Sequence, residues 1–211
     1  MNSKKLQDIS QVLKDWLISI YLYQKGDDKI PVFVVQEINF VFLDSIRSFF
    51  VGEQFILLTQ DDINEGNDVF CLKLLDIKHH AELFYGTDIF SNIKFNISDI
   101  RSSLELEIRN KRVQLREDYL SQKKKIDFLY QLLPGMRIIW EWALFLKNPK
   151  IKIPTDIKEL LSLFDIAWSC NSQMFYYLID DTVEEKNISV LIQDVHTYLS
   201  DFCIKVNGFT S

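Results

Sequence analysis

The sequence predicts an α+β protein, with a mixed sheet of about four strands in its first half and a bundle of four or five helices in its second. Three observations predict this. Runs rich in Val, Ile, Phe, Tyr and Leu occupy 17–23, 32–43, 55–58 and 69–77, each bounded by polar turn residues. From Ser98 onward apolar residues recur at helical spacing with charges between them. Glycine and proline are scarce, and in the second half they stand only at breaks between helical stretches. The composition shift places a domain boundary between 97 and 98: a mixed β-sheet with flanking helices over 1–97, a helical bundle over 98–211.

The bulk numbers fit that reading. Of 211 residues 47% are hydrophobic and 13% aromatic, enough for a substantial core. Net charge is −6, carried by the first hundred residues, which hold 9 Lys and Arg against 15 Asp and Glu. No global basic footprint of a nucleic-acid binder exists, so nucleic acid is not the expected partner. Cys71, Cys170 and Cys203 are too far apart for a zinc pattern and read as reduced thiols. The first residues lack an apolar leader, and no run approaches the ~18 apolar residues of a membrane span. A cytoplasmic protein with no membrane association is expected.

In order, Ser3 caps a helix over 3–16 with a stripe of Leu6, Ile9, Val12, Leu13 and Trp16. A first strand spans 17–23, a turn 25–31, and a second strand 32–43. A third strand at 55–58 runs into Thr59, which caps a short helix from Gln60 to Asn64 with Asp61 and Asp62 in its first turn. Asn67-Asp68 mark a turn before a fourth strand over 69–77. Tyr85-Gly86-Thr87-Asp88 form a turn, and 93–97 is a short extended piece. One long helix or two joined helices run from Asp99 to Leu133, until Pro134-Gly135 interrupt. Helices follow at 136–147, 156–164 and 166–180, and a last one runs from Val183 or Ile188 to Val206.

Several strings then resemble one family. Ser19-Ile20-Tyr21-Leu22-Tyr23, Glu37-Ile38-Asn39-Phe40-Val41-Phe42-Leu43, Leu57-Leu58-Thr59-Gln60-Asp61-Asp62-Ile63, Asp68 to Lys78, Leu83 to Asp88 and Glu105 to Arg116 occur in the order seen in bacterial nucleotidyltransferase-domain proteins of the minimal polymerase-β-like type with a helical C-terminal domain. The resemblance covers 17 to about 120. It implies a Gly-Ser pair after the first strand for the triphosphate. It also implies two metal-binding acids one apart on the next strand and a third carboxylate on a later one, all serving in-line transfer on divalent metal.

This chain departs at each place. Gln24-Lys25 stand where Gly-Ser belongs, and Gly26-Asp27 come too late. The acidic pair becomes Glu37 and Asn39, so Glu37 is the one retained carboxylate. Lys73 takes the third position, where a cation would repel Mg²⁺ by on the order of several kcal/mol. The expectation is a non-catalytic nucleotidyltransferase-like protein that binds a nucleotide or a protein partner, with Glu37 and Lys73 paired in the metal's place and no cofactor. The alternatives are an active Mg²⁺-dependent transferase acting on a small molecule, RNA or protein, with Asp27, Asp44 or Asp76 as reserve ligands, and a regulatory or structural interaction module.

Lys25, Arg109, Lys111, Arg112 and Arg116 are the candidate phosphate contacts, with Lys123-Lys124-Lys125 extending the run. Interleaved acids make a solvated helix face the simpler reading, with Glu105–Arg109 and Glu107–Lys111 as i,i+4 pairs. His79-His80 read as loop residues and His196 as a partly exposed helix residue. Trp140, Trp142, Phe145, Trp168, Phe175, Tyr176 and Tyr177 read as bundle core, with one of the paired tryptophans available to line a cleft.

Overall fold

The computed structural model describes residues 1–25, 28–66, 70–121, 126–184 and 187–209. The turns expected at Gly26-Asp27 and Asn67-Asp68, and the run Lys123-Lys124-Lys125, lie outside them. The chain divides into two compact units, Met1–Phe95 and Asn96–Ser211.

The N-terminal unit is built on a four-stranded mixed sheet of order β3-β2-β1-β4, formed by β1 (Leu17–Lys25), β2 (Asp28–Val35), β3 (Ile56–Thr59) and β4 (Ala81–Gly86). β1 pairs antiparallel with both β2 and β4, and β2 pairs parallel with β3. The parallel pair requires a crossover, supplied by α2 (Phe40–Phe50). From Ile30 to Val35 every residue of β2 is buried. Alternate side chains point to opposite faces, so the sheet must be covered twice. On one face Phe33 and Val35 meet α1 (Ser3–Val12) through Leu6 and Ile9, and α2 through Phe42, Ile46 and Phe50. On the other, Ile30, Val32 and Val34 meet Leu74 and Ile77 of α4 (Cys71–His80).

Several expected elements are redrawn. The first helix ends at Val12, and its cap is Asn2, whose side chain accepts from Lys5 N at 2.9 Å, in place of Ser3. The second strand stops at Val35 and does not reach 43. Phe42, Ile46 and Phe50 are buried four apart, a helical stripe that outweighs the β propensity of Phe40-Val41-Phe42. The stretch read as a fourth strand is α4, because Cys71, Leu74, Leu75 and Ile77 repeat at helical spacing over a long apolar run. The fourth strand comes later, and takes up Tyr85 and Gly86 of the expected turn. Gly86 has φ +86°, and a Cβ there would stand 2.0 Å from Ile18 O, so only glycine lets β4 close on β1. Thr59 does cap α3 (Gln60–Asn64), through a reciprocal box with Asp62.

The C-terminal unit holds α5 (Ile97–Ser121), α6 (Asp127–Lys147), α7 (Ile157–Trp168), α8 (Gln173–Ile179) and α9 (Ile188–Asn207). Pro134-Gly135 do not interrupt: α6 runs through both. An interior proline costs about 3 kcal/mol of helix propensity, which burial of Leu132, Met136, Ile139 and Trp140 on either side of it offsets. Gly135 serves packing. A Cβ there would lie 2.6 Å from Lys111 Cε, so the bare backbone admits the Lys111 stem from α5. Trp140 and Trp142 are both fully buried, so neither is free to line an open cleft. Trp140 stacks edge-on against Phe175 at 5.0 Å, and Phe164 against Phe202 at 4.9 Å. Among the described residues no helix is long and apolar enough to cross a membrane.

Phe164 is fully buried and touches Trp140, Tyr198 and Phe202, joining α6, α7 and α9. Phe164→Ala is expected to cost about 3–5 kcal/mol, read from urea unfolding followed by tryptophan fluorescence.

Candidate functional site

The structure disperses the positions singled out in the sequence over β1, the connection after β2, α4 and α5. Gln24 pairs in register with Lys29, and Lys25 with Asp28. Gln24 is exposed, and the Lys25 side chain is outside what is described. Among the described residues the four strands carry two carboxylates, Asp28 on β2 and Glu82 on β4. They stand on different strands, and Glu82 lies 3.6 Å from Lys29 Nζ in an exposed ion pair. No strand has acids one apart.

Glu37 and Asn39 are not on a strand. Both lie in the connection after β2, and both are exposed. Asn39 is the N-cap of α2: its side-chain oxygen accepts from Phe42 N at 2.8 Å. The amide read as a weakened metal ligand is a helix cap, a role Asn fills better than most residues. Lys73 sits on the exposed face of α4, not on a strand. No Glu37–Lys73 ion pair forms, so that expectation is overturned; its premise, two facing strands, is absent. Asp44 is exposed on α2.

Asp76, one of the reserve ligands of the strand reading, lies on helix α4. On a helix it joins Leu72, Leu74, Leu75 and Ile77 in being buried. Tyr23, projecting from β1 on the face that α4 covers, donates its hydroxyl to Asp76 Oδ2. One helical turn on, His80 Nε2 lies 3.7 Å from Asp76 Oδ1. The unit therefore contains a phenol, a carboxylate and an imidazole in sequence, an arrangement able to fix the orientation of the imidazole and to hold a proton between the three. His79 and His80 are the last two residues of α4, not a loop. Burial pushes the His79 imidazole below its ordinary value, and the neighbouring His80 and Lys78 charges push the same way.

The basic run on α5 is held locally. Arg109 donates twice to Glu105 Oε1, at 2.9 and 2.7 Å, and that bond raises its pKa. Lys111 Nζ donates to Gln114 at 3.1 Å, so the expected Glu107–Lys111 pair gives way to a different partner. Arg116 Nε donates to the Arg112 carbonyl oxygen at 3.1 Å. Arg112 contributes only its carbonyl oxygen to these bonds, and its Nε is buried without a hydrogen-bond partner among the described residues.

A second polar constellation, in the C-terminal unit, was not legible. Trp140 Nε1 donates to the Tyr198 hydroxyl at 2.9 Å, Tyr198 lies 3.4 Å from Ser172 Oγ, and Ser172 Oγ donates to Asp165 Oδ1 at 2.6 Å. Ser172 N also donates to Asp165, at 3.2 Å. Beside it Ser169 takes the left-handed conformation that ends α7, and Lys205 Nζ covers the helix end by donating to Trp168 O and Ser169 O at 3.0 and 2.6 Å. Burial raises the Asp165 carboxyl, and the Ser172 bonds oppose it. Single aromatic and hydroxyl residues scattered over 58 positions leave no motif to read.

Among models of protein families and among curated proteins, none matches this chain.

Two measurements check these assignments. Asn39→Ala is expected to lower stability by about 1 kcal/mol and Asn39→Ser to restore most of it, in paired denaturation curves. A metal ligand would not be rescued by serine in the absence of metal. For Asp165 the folded carboxyl lies above its unfolded value, so the native state binds the proton first as pH falls. Its contribution is therefore full below about 3.8 and is lost as pH rises through the folded value. Thermal melts of the parent and Asp165→Asn between neutral pH and pH ~4 are expected to show the parent gaining on the variant with acidification.

Proposed function

We propose that this chain is a nucleotidyltransferase-like protein that works by binding a partner and does not transfer nucleotidyl groups. The strings in family order from Ser19 to Arg116 support the likeness, as does a mixed sheet flanked by helices. The observation that carries the non-catalytic reading is the sheet's carboxylate set. Two-metal transfer needs acids one apart on a strand, aimed at a common point. Here the strands offer Asp28 and Glu82, on separate strands, with Lys29 beside Glu82. Glu37, the carboxylate retained in the string, is on an exposed loop, and its neighbour Asn39 is engaged as a cap.

A protein partner suits the surface better than a nucleotide. Of the candidate phosphate contacts on α5, Arg109, Lys111 and Arg116 are drawn into bonds along their own helix. By contrast, Phe40 and Val41 are 85% and 83% exposed at the first turn of α2, within one of the strings that carry the family resemblance. Contiguous exposed apolar residues of that size are typical of recognition surfaces.

The test is incubation of the full chain with each labelled nucleoside triphosphate and Mg²⁺ or Mn²⁺, following pyrophosphate release. No release above the protein-free blank is expected. Metal-dependent release that survives Asp28→Asn would place catalysis on a different carboxylate set and overturn the proposal, as would release abolished by it.

A further inference from the structure

Asp76 and His80 of α4 stand four residues apart, so both project from one face of the helix, a single turn from each other. Asp76 is 6% exposed. His80 keeps 33% of its side chain in solvent, while its Nε2 atom is buried. The pair is thus set into the N-terminal unit with one open approach, along the imidazole ring.

Tyr23 fixes the carboxylate. Its hydroxyl, reaching across from β1, donates to Asp76 Oδ2 and leaves Oδ1 turned toward His80 Nε2, 3.7 Å away. That separation is too long for a shared proton, which would draw the two atoms to about 2.7–3.2 Å. It is close to the edge of a metal coordination sphere. Two ligands each about 2.1 Å from a Zn²⁺ ion, at the tetrahedral angle, lie roughly 3.4 Å apart. An ion therefore seats between Oδ1 and Nε2 after a small side-chain adjustment. The Tyr23 bond is then the outer-shell contact that holds a ligating carboxylate in orientation.

The surrounding charge favours a cation here. His80 is the last residue of α4, and the final carbonyl groups of a helix carry the negative end of its dipole. Lys78, two residues before His80, is drawn elsewhere: its ammonium donates to the Ser91 and Ile93 carbonyl oxygens at 3.2 and 2.6 Å. The donor set selects the ion. One imidazole nitrogen beside one carboxylate oxygen suits Zn²⁺, whereas Mg²⁺ takes oxygen ligands in a near-octahedral shell and holds on to its waters.

We infer that Asp76 and His80 bind a Zn²⁺ ion, with the Tyr23 hydroxyl holding the carboxylate in place and water completing the coordination. The site stands on one helix and the strand it packs against. It goes beyond the partner-binding reading and holds or fails separately from it.

Calorimetric titration of Zn²⁺ into the untagged full chain tests this, with Mg²⁺ as the hard-cation control. One Zn²⁺ per chain is expected to bind, and Mg²⁺ is expected not to bind at the same concentrations. Tyr23→Phe is expected to weaken Zn²⁺ binding by at least about tenfold, as outer-shell losses do, and His80→Ala and Asp76→Asn by more. His79→Ala, His196→Ala and Cys170→Ser are expected to leave it unchanged. Because Asp76 is buried and its substitution endangers folding, the unaltered protein supplies a second readout: the His80 imidazole and Asp76 carboxyl resonances are expected to shift with Zn²⁺. Absence of Zn²⁺ binding, equal binding of Mg²⁺, binding retained by His80→Ala, or unmoved His80 and Asp76 signals would each overturn the inference. Binding lost in His79→Ala, His196→Ala or Cys170→Ser would overturn it in favour of another ligand set.

Discussion

The N-terminal unit depends on the two-sided burial of β2. Six consecutive residues, Ile30 to Val35, have no solvent-facing side, so neither sheet face can be left bare. Burying a side chain of this size fully is worth about 1.5–3 kcal/mol, and the gain is realised only if helices arrive on both faces. α1 and α2 cover one and α4 the other. The parallel partner β3 follows from the same requirement, because a crossover that carries α2 over the sheet returns the chain in the same direction. Even Pro31 fits here: it lies in a strand whose apolar burial, not its ladder, dominates the energetics.

The C-terminal unit solves its burial problem differently. Aromatic rings interlock through edge contacts around Phe164 and Phe202, and the indole N–H groups of Trp140 and Trp168 are handed to partners. Trp168 Nε1 donates to Ala143 O, and Trp140 Nε1 to Tyr198. An aromatic core of this kind needs polar outlets, since an indole N–H left alone in such surroundings costs about 1–3 kcal/mol. The Ser172–Asp165 bond extends one such outlet to the surface of the unit.

The fold class could be read from the sequence because segregation of strand-like and helix-like periodicity is a bulk property that errors at single elements do not disturb. Thr59 with Asp62 could be read because capping chemistry is local. The errors share one cause. Phe40-Val41-Phe42 and the run from Cys71 to Ile77 are apolar enough to suit a strand or a buried helix, and periodicity over so few residues does not separate the two. The deciding signals were Asn39 ahead of a four-residue apolar repeat and the continuation of the second run to His80. Mistaking helix for strand then misplaced the site: Asn39 became a ligand and Lys73 was turned inward. Pro134 was misread for a complementary reason. Its propensity is a local quantity, whereas the burial that overrides it comes from residues distant in sequence. The relay from Trp140 to Asp165 assembles residues from three helices and the loop before α8, so nothing in any one stretch announces it.

The hydroxyl of Tyr23 bonded to Asp76 has a bearing on motion. β1 is one of the two strands that pair on both sides, and α4 is joined to it near its C-terminal end by a polar contact in addition to the apolar packing of Leu74 and Ile77. Sliding α4 along the sheet would separate a buried carboxylate from the Tyr23 hydroxyl, which favours the observed seating of the helix. Its amides therefore share the opening free energy of the central strand and do not fray as an independent segment. The contact thus ties the packing of α4 to the pairing of β1 within the N-terminal unit.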